Sequence, residues 1–186
     1  MAIITFREVI DLLIVTFALG YIFMPQIKKP RTVLDILRPR FDMHDLLFAA
    51  LVTAPAVILH EMAHKFVALF FGIQAIFKAY FFGLFLGVIL SILRSPLIIL
   101  APGYVEISGG SALQQALIAF AGPFFNLLLF FLAKFVLEHK KKFTRTEAIG
   151  WHLTKQINIF LFVFNLLPIP PLDGSKVFYN LFKTFF

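Results

Sequence analysis

Residues 54–70 read APAVILHEMAHKFVALF, an apolar run that carries His60-Glu61-Met62-Ala63-His64 at its centre. Two histidines four residues apart share one face of a helix, a turn apart. Both can then reach one metal ion, and Glu61 between them is placed to act as general base on a water that the metal activates. Imidazole and carboxylate groups at membrane depth are costly, so their presence there is a functional signal in itself. Zinc fits best, because it accepts neutral imidazole nitrogens in tetrahedral geometry and needs no redox chemistry. The bland alternative is a pair of helix-surface histidines satisfied by water.

The composition sets the surroundings of that motif. Of 186 residues, 60% are hydrophobic and 26 are phenylalanine. Mean hydropathy is +0.91. Soluble domains are nearer 45–50% apolar, so this composition is that of an integral membrane protein. The chain has no cysteine, which excludes disulfides and thiolate metal sites. Glu8 and Asp11 interrupt the first apolar stretch, so residues 1–24 read as a retained first span rather than a cleaved signal. The net charge of +7 is concentrated in Lys28, Lys29, Arg31, Arg38 and Arg40, and again in Lys140, Lys141, Lys142 and Arg145. Basic clusters beside spans meet anionic headgroups. Nucleic-acid binding would need a basic soluble domain, and none is visible.

A spanning helix needs about 20 mostly apolar residues. The pattern predicts spans at 7–24, stopping at Pro25, and at 43–71, with Asp42 as N-cap and Gly72 as C-cap. Residues 25–42 form a polar link. The stretch 79–95 either crosses or re-enters; Arg94 and Pro96 end it, and residues 97–108, with Ala101-Pro102-Gly103, read as extended. Capping boxes at Ser111/Gln114 and Thr144/Glu147 open spans at 112–137 and 145–167. Pro168, Pro170 and Pro171 then break the chain ahead of a short amphipathic helix at 174–185. The expected architecture is an all-α polytopic membrane protein in one domain, 1–186, with about four or five transmembrane helices and a short extended or re-entrant segment after the H-E-x-x-H helix.

A catalytic zinc site wants a third protein ligand and an open position. The candidates are His44, His139, His152 and Asp173. Asp173 is favoured, because a proline-broken segment at membrane depth is tolerated only where it lines protein or a cavity; its alternative role is to cap the last helix. Asn126 and Asn165 each interrupt an apolar helix. An unpaired amide in lipid costs a few kcal/mol, so each needs a partner, either across helices or on a substrate. Gly122-Pro123 reads as a close-packing and kink device.

His60-Glu61-x-x-His64, Ala121-Gly122-Pro123-x-x-Asn126, and Asn165-x-x-Pro168 followed by Leu172-Asp173-Gly174 together resemble the site-2 protease family of intramembrane zinc metalloproteases, peptidase family M50, over residues 45–180. The resemblance is to a minimal form without PDZ or CBS domains. It implies that His60, His64 and Asp173 bind one Zn2+ per chain, that Glu61 is the catalytic base, and that Asn165 and Asn126 contact substrate. It also implies a three-helix catalytic core and cleavage within transmembrane segments of membrane-protein substrates. The expected partners are such a substrate and the lipid bilayer, with a separate recognition or regulatory subunit left open; the expected location is the cell membrane. An extended edge at Val105–Ser108 could hold an unwound substrate by strand addition. If residues 73–110 return to the side they left, both basic clusters share one face, which the positive-inside rule makes cytoplasmic. The resemblance implies a site nearer the cytoplasm, so the two arguments disagree. A catalytically silent relative and a metal transporter are the alternatives; an intact Glu61 speaks against the first and a single metal cluster against the second.

Overall fold

The computed structural model describes residues 3–27, 42–93, 95 and 102–186. The chain order is α1 (Phe6–Ile27), α2 (Met43–Phe70), β1 (Gln74–Ala79), α3 (Phe81–Ile92), β2 (Gly103–Ser108), α4 (Ala112–His139), α5 (Arg145–Asn165) and α6 (Asp173–Phe185). Helix α1 packs on α2, α2 on α4, and α4 on both α5 and α6. Helices α1, α2 and α4 are long and apolar enough to cross a membrane. Phenylalanines such as Phe17, Phe131 and Phe135 stay exposed on their outer faces, as lipid contact requires.

The caps follow the local sequence. Asp42 accepts the His44 N–H at 2.9 Å. Phe71 closes α2, and Gly72 takes φ +72° just beyond it. The Ile73 N–H then returns to the Ala68 carbonyl at 2.9 Å, the longer bond of a Schellman turn. Both capping boxes are complete, Ser111 with Gln114 and Thr144 with Glu147.

After this turn the chain leaves helix for a two-stranded antiparallel sheet, with Phe77 opposite Val105 and Ala79 opposite Gly103. Ala75, Phe77 and Ala79 point inward, while Ile76 faces out. Phe77 and Ala79 join Val15 and Leu19 of α1, Ala54 and Met62 of α2, and Leu84 of α3 in one apolar cluster. Ala75 packs with Ala68 of α2 and Ile118 of α4. The sheet is therefore bolted to the end of the bundle formed by the last turns of α2 and the first turns of α1 and α4.

Several expectations are corrected. Helix α1 runs past Pro25 to Ile27; so near the end, the missing proline N–H costs a single helical bond. Of the two alternatives for 79–95, crossing or re-entering, α3 fits the second: it has 12 residues, about 18 Å of helix, against a hydrocarbon core of about 30 Å. Strand β1 was not anticipated, because the outward Ile76 hides its alternation. Helix α5 has span length at 21 residues, but its first two-thirds carry His152, Lys155, Gln156 and Asn158. Among the described residues three helices meet the criterion of length and hydropathy for crossing, in keeping with the all-α membrane architecture expected. The basic cluster 28–40, most of the polar link 25–42, Arg94, Pro96 and residues 97–101 lie outside the described residues.

The β1–β2 pairing brings the chain back to the end of the bundle that it left. Cysteines introduced singly at Gly72 and Gly109, in a chain with none of its own, should react with a membrane-impermeant maleimide from the same face of sealed vesicles. Labelling from opposite faces would contradict the returning arrangement.

Candidate metal centre

His60 and His64 lie on α2, each 6% exposed. Their inner ring nitrogens are committed. His60 Nδ1 is 2.6 Å from Asn126 Oδ1 on α4. The Asn126 amide nitrogen is spent on the Ala56 carbonyl and on Asn158 Oδ1, both at 2.9 Å. Its oxygen must therefore face the ring, and His60 Nδ1 carries the proton. His64 Nδ1 lies 2.7 Å from the Ile118 carbonyl, an acceptor only, so it too is the protonated nitrogen. In the neutral rings both Nε2 atoms are left as bare lone pairs.

Those two atoms stand 3.1 Å apart. Asp173 Oδ2 sits 3.0 Å from His60 Nε2 and 3.2 Å from His64 Nε2. Three acceptors thus face one another with no donor between them. A single proton would satisfy one edge of the triangle, whereas a cation satisfies all three. Tetrahedral zinc with ligands at about 2.0–2.1 Å has ligand–ligand edges of about 3.3 Å, so the donor set and its spacing suit that ion. Among the described residues this is the one group of three histidine or carboxylate side chains able to hold a metal.

Two glycines make the approach possible. A Cβ on Gly122 would lie 2.4 Å from His64 Nε2 and 2.6 Å from His60 Nε2. Any side chain there would fill the space between the two nitrogens. Gly122 is thus a close-packing residue, as the sequence suggested, and the surface it packs against is the pair of imidazoles, so it forms a wall of the centre. Asp173 opens α6, with Leu172 at the N-cap and no side-chain cap, so its carboxylate is free for the imidazoles. The next residue, Gly174, is buried, and a Cβ on it would strike the carbonyl oxygens of Leu166 and Leu167 at 2.3 and 2.5 Å. That contact seats the start of α6 against the end of α5 and places Asp173 opposite α2.

The other sequence candidates separate cleanly. His44, His139 and His152 are exposed, and none joins the group. Glu61 is half-buried, and among the described residues its carboxylate makes no hydrogen bond or ion pair. Asn126 is fully buried with both ends of its amide engaged, so it holds His60 and has nothing left for a substrate. In this structure the partners of Asn126 are all groups of the protein itself. Asn165 donates to the Leu161 carbonyl of its own helix at 3.0 Å and has no bond to the metal group. Asn158 went unnoticed in the sequence, because Lys155 and Gln156 beside it make that part of α5 look polar.

Known proteins bear on this geometry. A profile described as "Peptidase family M50" matches residues 148–186, the stretch that contains Asn165 and Asp173. The chain is 33% identical over 176 residues to "Putative zinc metalloprotease MJ0611" of Methanocaldococcus jannaschii, covering 92% of this chain and 83% of that protein. It is 39% identical over 77 residues to "Putative zinc metalloprotease YwhC" of Bacillus subtilis, covering 37% of this chain and 35% of that one. With a relative matched along nearly its whole length, and with the H-E-x-x-H histidines meeting a distant aspartate inside a bundle of apolar helices, the chain belongs to peptidase family M50.

Proposed function

We propose that this membrane metalloprotease is an intramembrane zinc endopeptidase that cuts peptide bonds within or near the transmembrane segments of other membrane proteins. The observation that carries the reading is the triangle of three lone pairs at 3.0–3.2 Å between His60, His64 and Asp173. In this reading the three side chains hold one zinc per chain. Bound there, the ion supplies Lewis acidity, lowering the pKa of a water toward about 7 and polarising the scissile carbonyl.

The chain's own residues do the rest. Glu61 takes a proton from the attacking water and returns it to the leaving amine as the C–N bond breaks. Its freedom from other partners supports that role. Asn126 fixes the His60 tautomer and aims its Nε2, the usual task of a group behind a metal-bound histidine. Asn165 keeps its amide oxygen unengaged among the described residues, which supports a contact to substrate backbone.

A transmembrane helix hides its carbonyls in i→i−4 bonds, so the substrate must unwind before it is cut. Phe77 and Ala79 turn their N–H groups away from β2, toward α1. In an antiparallel ladder their partners Val105 and Gly103, and Ile107 by the same alternation, then turn theirs to the far edge of β2. No third strand covers that edge among the described residues. An extended substrate segment can add there through main-chain bonds. The metal-transporter alternative would need a series of sites along a path, and the described residues hold one cluster.

Purified protein should hold about one zinc. Glu61→Gln should keep that zinc and lose cleavage of a test transmembrane peptide by at least a hundredfold; cleavage at the normal rate would refute the role of Glu61. Gly122→Ala should fold yet lose stoichiometric zinc, measured by elemental analysis. Asn126→Ala should weaken zinc affinity by about 10–100-fold, read in a chelator competition. Unchanged affinity would mean that His60 needs no support from α4.

A further inference from the structure

The most deeply buried charges lie outside the metal centre. Glu8 of α1 and Lys65 of α2 are each 1% exposed and form an ion pair. The same Glu8 oxygen accepts the Phe77 N–H of β1 at 2.8 Å. The other oxygen takes the Thr5 N–H at 2.8 Å and its hydroxyl at 3.0 Å. One helical turn further on, Asp11 is 8% exposed and accepts the Ala79 N–H at 3.4 Å. The two carboxylates of α1 therefore stand where a neighbouring strand would supply carbonyls, and they close the outer edge of β1.

The pair also links the sheet to the metal helix. Lys65 directly follows His64. It holds Glu8, Glu8 holds Phe77, and Phe77 lies opposite Val105, whose main chain faces the free edge of β2. A buried ion pair adds little net stability over well-packed apolar residues, and its best-attested use is to fix register. We infer that Glu8 and Lys65 are positioning residues, a strut between α1, α2 and β1 that sets the height of the sheet edge against the metal centre and so decides which peptide bond of a docked segment is cut. Asp11 serves the same end by leaving β2 as the edge open to a strand. The inference rests on the protease reading above.

The test uses the full-length purified protein and a test transmembrane peptide whose cleavage products are mapped by mass spectrometry. The variant E8Q/K65M removes both charges together, so neither is left buried alone. It should keep one zinc. It should spread cleavage over neighbouring bonds and raise KM by about tenfold while kcat falls less, because alignment is lost and the metal group is intact. D11N, which leaves the ion pair intact and keeps an oxygen for the Ala79 N–H, is the milder second variant and should show the same spreading to a smaller degree. Lower thermal stability with an unchanged single cut and a kcat/KM within about twofold of the parent would make the pair merely structural and overturn the inference. If the parent protein holds zinc but cleaves nothing, the protease reading itself fails, a result distinct from precise cutting by both variants.

Discussion

Three lone pairs about 3 Å apart repel one another, and this protein holds them together inside apolar helices. Removed from water, such acceptors lack the solvation that would offset their repulsion. Each is held from behind: His60 by Asn126, His64 by the Ile118 carbonyl, and Asp173 by the seating of α6 on the end of α5. This preorganisation is what a cation gains, since the rings are turned and their tautomers set before it arrives. Much of the helix packing follows from it. Helix α4 must pass with Gly122 against both imidazoles, and the prolines at 168, 170 and 171 must turn the chain so that Asp173 meets α2 head-on.

The amide network extends the same logic one layer outward. Asn126 can present its oxygen to His60 because Ala56 and Asn158 take its nitrogen, and Asn158 in turn donates to the Thr154 carbonyl at 2.8 Å. Every buried donor in this chain of contacts has an acceptor. A partly satisfied network in so apolar a setting would destabilise the bundle instead of ordering it. Helices α2, α4 and α5 are thereby tied together at one depth, that of the metal group.

The centre was legible in sequence to the extent that its spacing is local. His60 and His64 announce themselves because a helix converts a four-residue spacing into one face. Asp173 lies 109 residues from His64. Its proline-broken setting marked it, and the family pattern made it a ligand, but no local rule could place it against α2. Gly122 read as a close-packing residue, and only the position of the α2 rings shows what it packs against. Strand β1 was hidden by Ile76 on its outer face. The Glu8–Lys65 strut could not be found at all: the sequence separation is 57 residues, and each residue alone reads as a charge near the end of an apolar run. Contacts that depend on how helices cross are set by packing, and packing leaves no periodic trace.

On the proposed intramembrane reading, the small sheet answers a difficulty that the metal centre creates. A substrate helix opened within a membrane exposes N–H and C=O groups that lipid cannot satisfy, at several kcal/mol each. A site that only cut bonds would face that cost on every turnover. In that reading an open strand edge would supply main-chain partners for the unwound segment, and the opening would be compensated where it happens. Placing that edge beside α2 but outside the crossing helices lets it be polar along one side, while Val105 and Ile107 keep the inner face on the apolar core. The anchoring of β1 to α1 through Glu8 and Asp11 then has a physical purpose. Without it, a two-stranded sheet would be marginal on its own, and an edge that moves against the metal group could hold a peptide without presenting any particular bond.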